Sequence, residues 1–163
     1  MDLIEKAKKI RLLLMDCDGV LTDGRLYFSA AGETMKVFHV RDGQGLHSWH
    51  QAGFESGIIS GRGAKEIINS RAAELGIRYV YTSSSDKVGD FNEILSIAGV
   101  SRDEVAYVGD DIGDVALMNL VGLPVAVADA AVEAINAAAF VTSSNGGCGA
   151  IRQVVDLLLN ARQ

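Results

Sequence analysis

The sequence predicts an α/β fold: one doubly wound, mostly parallel sheet with helices on both faces, and a β-hairpin inserted after the first strand. Three observations carry this. Short apolar runs recur along the chain, amphipathic stretches of helical period separate them, and the runs end in glycine and polar residues. A strand that is apolar without alternation is buried on both faces, which marks a parallel sheet covered by helices. Strand–helix alternation then implies the layered arrangement.

Arg11–Met15 is the first apolar run. Leu26–Phe28 and Thr34–Phe38, separated by the polar, glycine-containing Ser29–Glu33, read as a hairpin placed before any helix. Gly57–Ile59, Tyr79–Tyr81, Val105–Val108 and Val125–Val127 supply the second to fifth strands. Helical spacing appears over 63–75 (Ile67, Ile68, Ala72, Leu75) and 87–98 (Val88, Phe91, Ile94, Leu95, Ala98), the latter with Gly99 as C-terminal cap. Residues 112–121 and 148–160 read the same way. No repeat, linker or low-complexity tract divides the chain. We expect one domain over 1–163, with the hairpin at about 24–39, a C-terminal tail at about 146–163, and no separate cap domain.

Composition narrows the function. A chain of 163 residues, 48% hydrophobic and 22% charged, builds a full core and is not disordered. Lys plus Arg number 15 and Asp plus Glu 21, a net charge of −6 with no basic run, which argues against nucleic acid and anionic membranes. No apolar run approaches the ~20 residues of a membrane span. The stretch Met1–Lys6 is mixed in charge and lacks the apolar core of a signal peptide. Cys17 and Cys148 are far apart and form no C-x-x-C pair, so a reducing cytoplasm is expected.

The informative residues lie where strands end, because open α/β sheets bind ligands beyond the carboxyl ends of their strands. The first strand ends in Asp16-Cys17-Asp18-Gly19 and the fourth in Gly109-Asp110-Asp111, with Asp114 following. A D-x-D pattern arises by chance about once in a chain of this composition, whereas Gly-Asp-Asp-x-x-Asp arises about a hundred times less often. The two strands can be neighbours, and their carboxylates would repel unless a cation lay between them. The oxygen-only donor set selects Mg²⁺ over zinc or copper, and the metal suits an anionic substrate such as a phosphate. The plain alternative is a calcium site or a solvated acidic rim. Ser60-Gly61-Arg62 ends the second strand ahead of a helix and forms a candidate anion site, although such a serine is usually an N-cap. Lys87 opens the helix after the third strand, a compact counter-charge or merely a solvated lysine.

These motifs, in this order, resemble those of the haloacid dehalogenase superfamily phosphatases: Asp16–Asp23 the first, Ser60 the second, Lys87 the third and Gly109–Asp114 the fourth. Phe38–Gly43, Ser60–Arg62, Val105–Asp111, Val125–Ala130 and Gly146–Arg152 resemble one branch, the 3-deoxy-D-manno-octulosonate 8-phosphate (KDO 8-phosphate) phosphatases. His39, Asp86 and Cys148 depart from that branch, which commonly has Asn, Asn and Arg there. The resemblance implies a Mg²⁺-dependent phosphatase of lipopolysaccharide precursor synthesis. Asp16 would be the nucleophile and form an aspartyl-phosphate. Asp18, expected on the same side of the strand end, would protonate the leaving oxygen and then activate water. Mg²⁺ would be held by Asp16, the Asp18 carbonyl and Asp110, with Asp111 and Asp114 orienting its waters or Lys87. Ser60, the Gly61 amide and Lys87 would hold the phosphoryl oxygens.

Substrate contacts are expected from His39, Arg41, Asp42, Gly43, His47, Arg62 and Arg71. Several have bland readings beside that one: Asp42 as a helix N-cap, Arg71 as a surface arginine, and His47 and His50 as one helix face with Trp49 in a core or interface rather than a metal pair. The resemblance also implies a homotetramer in which hairpins pack together and Gly146–Arg152 lies near an adjoining site. Three rivals remain. A phospho-accepting receiver domain puts its acidic pair and acceptor elsewhere; an assembly module of the same fold would not need every catalytic position filled; and a phosphatase for a nine-carbon ulosonate phosphate tends to carry an acidic residue where Arg62 stands.

Overall fold

The computed structural model describes residues 2–163. Six parallel strands form one sheet in the order β5-β4-β1-β6-β7-β8: β1 Leu12–Met15, β4 Glu55–Ile59, β5 Tyr79–Tyr81, β6 Val105–Gly109, β7 Leu123–Ala126 and β8 Phe140–Val141. β2 (Tyr27–Ser29) and β3 (Gly32–Met35) form a separate antiparallel pair. Among the described residues there are seven α-helices, α1 Leu3–Lys9, α2 Val40–Gln51, α3 Lys65–Leu75, α4 Lys87–Ala98, α5 Ile112–Met118, α6 Val132–Ala137 and α7 Ala150–Asn160, and a 3-10 turn at Arg102–Glu104.

β1 lies at the centre, with Leu14 beside Gly57 of β4 on one side and Tyr107 of β6 on the other. Its alternating side chains feed two cores. Leu13 and Met15 join Ile58, Val108 and Val125 under α2, α3 and α7, where Leu46, Trp49, Ile68, Ile151 and Val154 are buried. Leu12 and Leu14 join Ile59, Tyr107 and Ala126 under α4, α5 and α6, through Phe91, Ile94, Leu117 and Ala134. Each such leucine contributes about 1.5–3 kcal/mol on burial. Because all six strands run one way, the ends of β1, β4, β5 and β6 open on one edge of the sheet.

The helix expected over 148–160, within the segment at 146–163, is present as α7 (Ala150–Asn160) and packs as part of the core. α7 buries Ile151, Val154, Val155 and Leu158 against the sheet and α2, because its apolar residues recur at helical spacing on one face. Gly147 N–H donates to Val20 O (2.9 Å) and Gly146 N–H to the Asp129 carboxylate (2.9 Å), so the turn before α7 packs on the loop after β1 of its own chain. Other expectations need correction. The second hairpin strand stops at Met35, short of Phe38, because Lys36 turns inward and is buried. α5 ends at Met118 and not at 121, with Asn119 at its C-cap. α1, α6 and β8 carry too little periodic signal to read from sequence: six or seven residues make under two helical turns, and two residues barely a ladder. α4 and its Gly99 cap (φ 65°) stand as expected.

Candidate active site

β1 delivers Asp16 to the centre of the sheet edge. Its backbone N–H still donates to Val108 O (3.0 Å) of β6, so the ladder itself positions the residue. Beyond it the chain curls: Cys17 O accepts the N–H groups of Val20, Leu21 and Thr22. Asp18 therefore sits in a turn, and strand alternation does not set its direction as expected. Asp16 Oδ2 lies 3.2 Å from Lys87 Nζ, while Asp18 turns toward Lys36 and Arg62. The curl needs Gly19 at φ +87°, where any Cβ would drive into the Asp110 carboxylate. Cys17 points into the core, away from this cluster, and burial pushes its thiol well up.

β6 delivers Asp110, and the first turn of α5 delivers Asp111 and Asp114. The motif serves the fold as well. Asp111 accepts from Ile112 N–H (2.7 Å) and, with Asp114, closes a capping box on α5, so its carboxylate is spent on the helix end and not on Lys87. Asp114 is almost fully buried. Its Oδ1 accepts from Lys87 Nζ (2.8 Å) and Tyr107 OH (2.6 Å), and its Oδ2 from the N–H groups of Asp110 (3.0 Å) and Asp111 (3.3 Å). Lys87 is thus held between Asp114 and Asp16, as a partly buried cation and not a solvated one.

Asp16, Asp110 and Asp114 each offer an oxygen within 4.8 Å of the others. Burial and the Asp114 charge push Asp16 up to about 6, against the opposing pull of Lys87. Burial, Asp114, Asp16 and Asp111 push Asp110 up to about 8. Asp110 Oδ1 is buried with no hydrogen-bond partner. One lysine does not neutralise this cluster, its donors are all oxygens, and an orphaned carboxylate oxygen faces the gap; the residues fit a hard divalent cation. With both Asp114 oxygens taken, Asp16 and Asp110 are the side chains left to hold it.

Ser60 and Gly61 follow β4 beside this cluster. Ser60 is buried and is not the N-cap of α3, which starts at Lys65; its Oγ accepts weakly from Arg62 N–H (3.4 Å). Gly61 is exposed and backs onto Lys87, whose Cε is 4.0 Å from the place a Cβ would take. Backbone bonds from Ser84 N–H to Ser60 O (3.0 Å) and from Ser83 N–H to Arg62 O (3.0 Å) lock this loop to the one after β5.

The expected sugar contacts divide. Arg62 reaches the cluster, its Nε 4.0 Å from Asp18 Oδ2. Asp42 is not the N-cap of α2; His39 is, through Nδ1 accepting from Arg41 N–H (3.2 Å). Asp42 is buried one turn on and accepts from Arg152 N–H (2.9 Å) and Gly149 N–H (3.4 Å), capping α7 across the fold. Gly43 makes room for Arg71, whose guanidinium stacks over Phe38 (5.5 Å) and pairs with Glu74 (2.9 Å). Arg41 and His47 are exposed on α2. Within this chain His39, Arg41, Asp42, Gly43, His47 and Arg71 therefore do not join the aspartates. His50 bonds Leu75 O and Ser56 Oγ inside the fold, and Trp49 stacks on Phe54 in the core.

Sequence reasoning missed Lys36, Glu33 and Tyr107. Lys36 is a lone cation in the run Met35–Phe38, and Tyr107 the one polar tip in the run Val105–Val108; these were the available signals.

Residues 62–154 match the haloacid dehalogenase-like hydrolase family. The 3-deoxy-D-manno-octulosonate 8-phosphate phosphatase of Escherichia coli K12 is 47% identical over 161 residues, which cover 99% of this chain and 85% of that protein. The crystal structure of the phosphatase of that name from Yersinia pestis superposes with a TM-score of 0.95 at 43% identity, over 98% of this chain and 86% of that one. The Moraxella catarrhalis phosphatase, in complex with a magnesium ion, a phosphate ion and KDO, gives 0.93 at 33% identity, over 98% and 91%. By sequence, fold and strand-end aspartates alike, the chain belongs to the haloacid dehalogenase-like hydrolases and, within them, to the KDO 8-phosphate phosphatase family of phosphoric monoester hydrolases.

Proposed function

We propose that this chain hydrolyses KDO 8-phosphate to KDO and inorganic phosphate through an aspartyl-phosphate on Asp16. The observation that carries the reading is the convergence of Asp16, Asp110 and Lys87, with Asp18 and Arg62 beside them. Asp16 Oδ2 attacks phosphorus while the bond to the sugar oxygen breaks. Its other oxygen accepts from Cys17 N–H (2.7 Å), while Oδ2, 3.2 Å from Lys87 Nζ, lies beside the cation that would hold the phosphoryl group. Asp18 gives a proton to the leaving oxygen, then takes one from the water that cleaves the acyl-phosphate. Lys87, Ser60 and the Gly61 amide hold the phosphoryl oxygens as charge spreads. Asp114 and Tyr107 hold Lys87, and Asp111 holds the helix that carries Asp114. Mg²⁺, held by Asp16, the Asp18 carbonyl and Asp110, would supply the positive charge that lets two anions meet.

Arg62, at the edge of the cluster, is a cation whose fork suits the carboxylate of an ulosonate, and the choice of the eight-carbon one follows the resemblance, in which the nine-carbon branch tends to have an acidic residue at this place. The remaining sugar contacts proposed from resemblance, at His39, Arg41, Asp42, Gly43, His47 and Arg71, would have to come from elsewhere in an assembly or after closure. The chain would act as a single capless domain in a cytoplasmic homotetramer. Among the described residues no helix is long and apolar enough to cross a membrane. Leu26, Phe28, Met35 and Val37 of the hairpin are exposed and suit burial between subunits. Phosphate release across a panel of sugar phosphates, with and without Mg²⁺, tests the reading. Equal turnover of all esters, or full turnover in excess chelator, would overturn it.

A further inference from the structure

The Lys36 side chain is entirely shielded from solvent, and its ammonium sits between two carboxylates. Nζ bonds Asp18 Oδ1 and, at 2.7 Å, Glu33 Oε1. Arg62 closes the cluster, with Nη2 3.5 Å from Glu33 Oε2. A lysine ammonium is strongly hydrated, and burying it is costly unless partners hold it on every side. The hairpin shares no ladder with the main sheet, so this contact ties it to the site. The two oxygens of Asp18 are not equivalent. Oδ1 is taken by Lys36, whereas Oδ2 is buried, makes no hydrogen bond and has Arg62 Nε only at ion-pair range, 4.0 Å away. An orphaned buried oxygen beside reactive groups marks where a ligand's hydrogen is met.

We propose that Lys36 is a positioning residue for the reaction: it pins Asp18 Oδ1, so that Oδ2 is the oxygen that exchanges the proton. This rests on the reading of Asp18 as the acid. In the first step the Oδ2–H bond breaks and an O–H bond forms on the sugar oxygen. That oxygen keeps the electron pair of the breaking P–O bond while Asp16 forms the new O–P bond. Glu33 gives the ammonium a second anchor, so Lys36 does not depend on Asp18 for its place.

The test compares kcat/KM on three esters: KDO 8-phosphate, glycerol phosphate and p-nitrophenyl phosphate. The first two have poor leaving groups that need a proton; nitrophenolate leaves without one. This ratio reports the steps up to leaving-group departure, where the acid acts. Lys36→Met is expected to lose about a hundredfold on both alkyl esters and less than about threefold on p-nitrophenyl phosphate, the range of positioned acid catalysis. Lys36→Arg is expected to return to within about tenfold of the parent, keeping the charge in another shape. Should the methionine variant not fold, Lys36→Gln keeps a donor without the charge, and the same selective loss is expected.

Equal losses on all three esters would overturn the proposal, since Lys36 would then serve phosphate binding or the fold. Loss on KDO 8-phosphate alone would also overturn it, by assigning Lys36 to the carboxylate end with Arg62. Full activity on every ester would do the same. Asp18→Asn separates the two levels: if it retains activity on the alkyl esters, the acid reading itself fails. If it loses activity and Lys36→Met does not, only the Lys36 proposal fails.

Discussion

Burial and neighbouring carboxylates push Asp110 up to about 8 and Asp16 up to about 6, so the metal-free site holds protons that a cation has to expel. The consequence is a steep pH dependence of Mg²⁺ binding, separate from any effect on turnover. Both carboxylates titrate above the usual carboxylate range and influence each other, so lowering the pH from 8 to 6 adds protons to the pair. A cation needing both carboxylates bare has to displace those protons, so its affinity falls by about tenfold to a hundredfold between pH 8 and pH 6. Calorimetric titration of the protein with Mg²⁺ alone at both pH values reads this directly. Repeating it in buffers of different ionisation enthalpy counts the protons released. Asp110→Asn should weaken binding at pH 8 and remove most of the pH slope. A change below about threefold between the two pH values, or binding without proton release, would refute the reasoning; the carboxylates would then already be ionised, or would not be the ligands.

Asp16→Asn removes the attacking oxyanion and should abolish turnover while the thermal transition persists; Mg²⁺-dependent activity retained by a clean preparation would place the nucleophile elsewhere. Arg62→Ala should lower kcat/KM on KDO 8-phosphate by about tenfold to a hundredfold, the loss of about 1.5–3 kcal/mol for one charge-assisted contact, with little effect on glycerol phosphate; equal losses on both would tie Arg62 to phosphate or fold. Leu13→Ala, at a fully buried position of the central strand, should cost about 2–5 kcal/mol in urea unfolding. Burial holds His50 below its ordinary 6.5, so the unfolded chain takes up the proton first: stability is full above that value and declines as pH falls through it. Melting between pH 7.5 and 5.5 should show this decline, and His50→Gln should flatten it. Light scattering at micromolar concentration should give four times the chain mass, and a monomer would defeat the proposed assembly.

The sheet was legible because its strands are apolar on both faces and its long helices keep a 3.6-residue period; such patterns are local and survive without knowledge of the partners. The helix over 87–98 and its glycine cap follow from that pattern alone, and so does the placement of aspartates at strand ends. Spacing along the chain also suffices for the Gly-Asp-Asp-x-x-Asp signal, because its members belong to one strand end and one helix turn. What the chain could not disclose is which distant side chains meet. Lys36 bonds Asp18 from the hairpin, Tyr107 reaches Asp114 through the second core, and Asp42 caps a helix more than a hundred residues away. Each is a polar group whose partner is chosen by the packing of separate elements, and a lone lysine, tyrosine or aspartate has no period to announce it. The helical period of α7 was legible in the chain, but that α2 and the sheet are the surfaces that bury its apolar face was not. Local pattern decided where the chemistry could sit; only the tertiary contacts decided which partner each oxygen of Asp16, Asp18 and Asp110 has, because hydrogen bonds and burial are spent pair by pair in space.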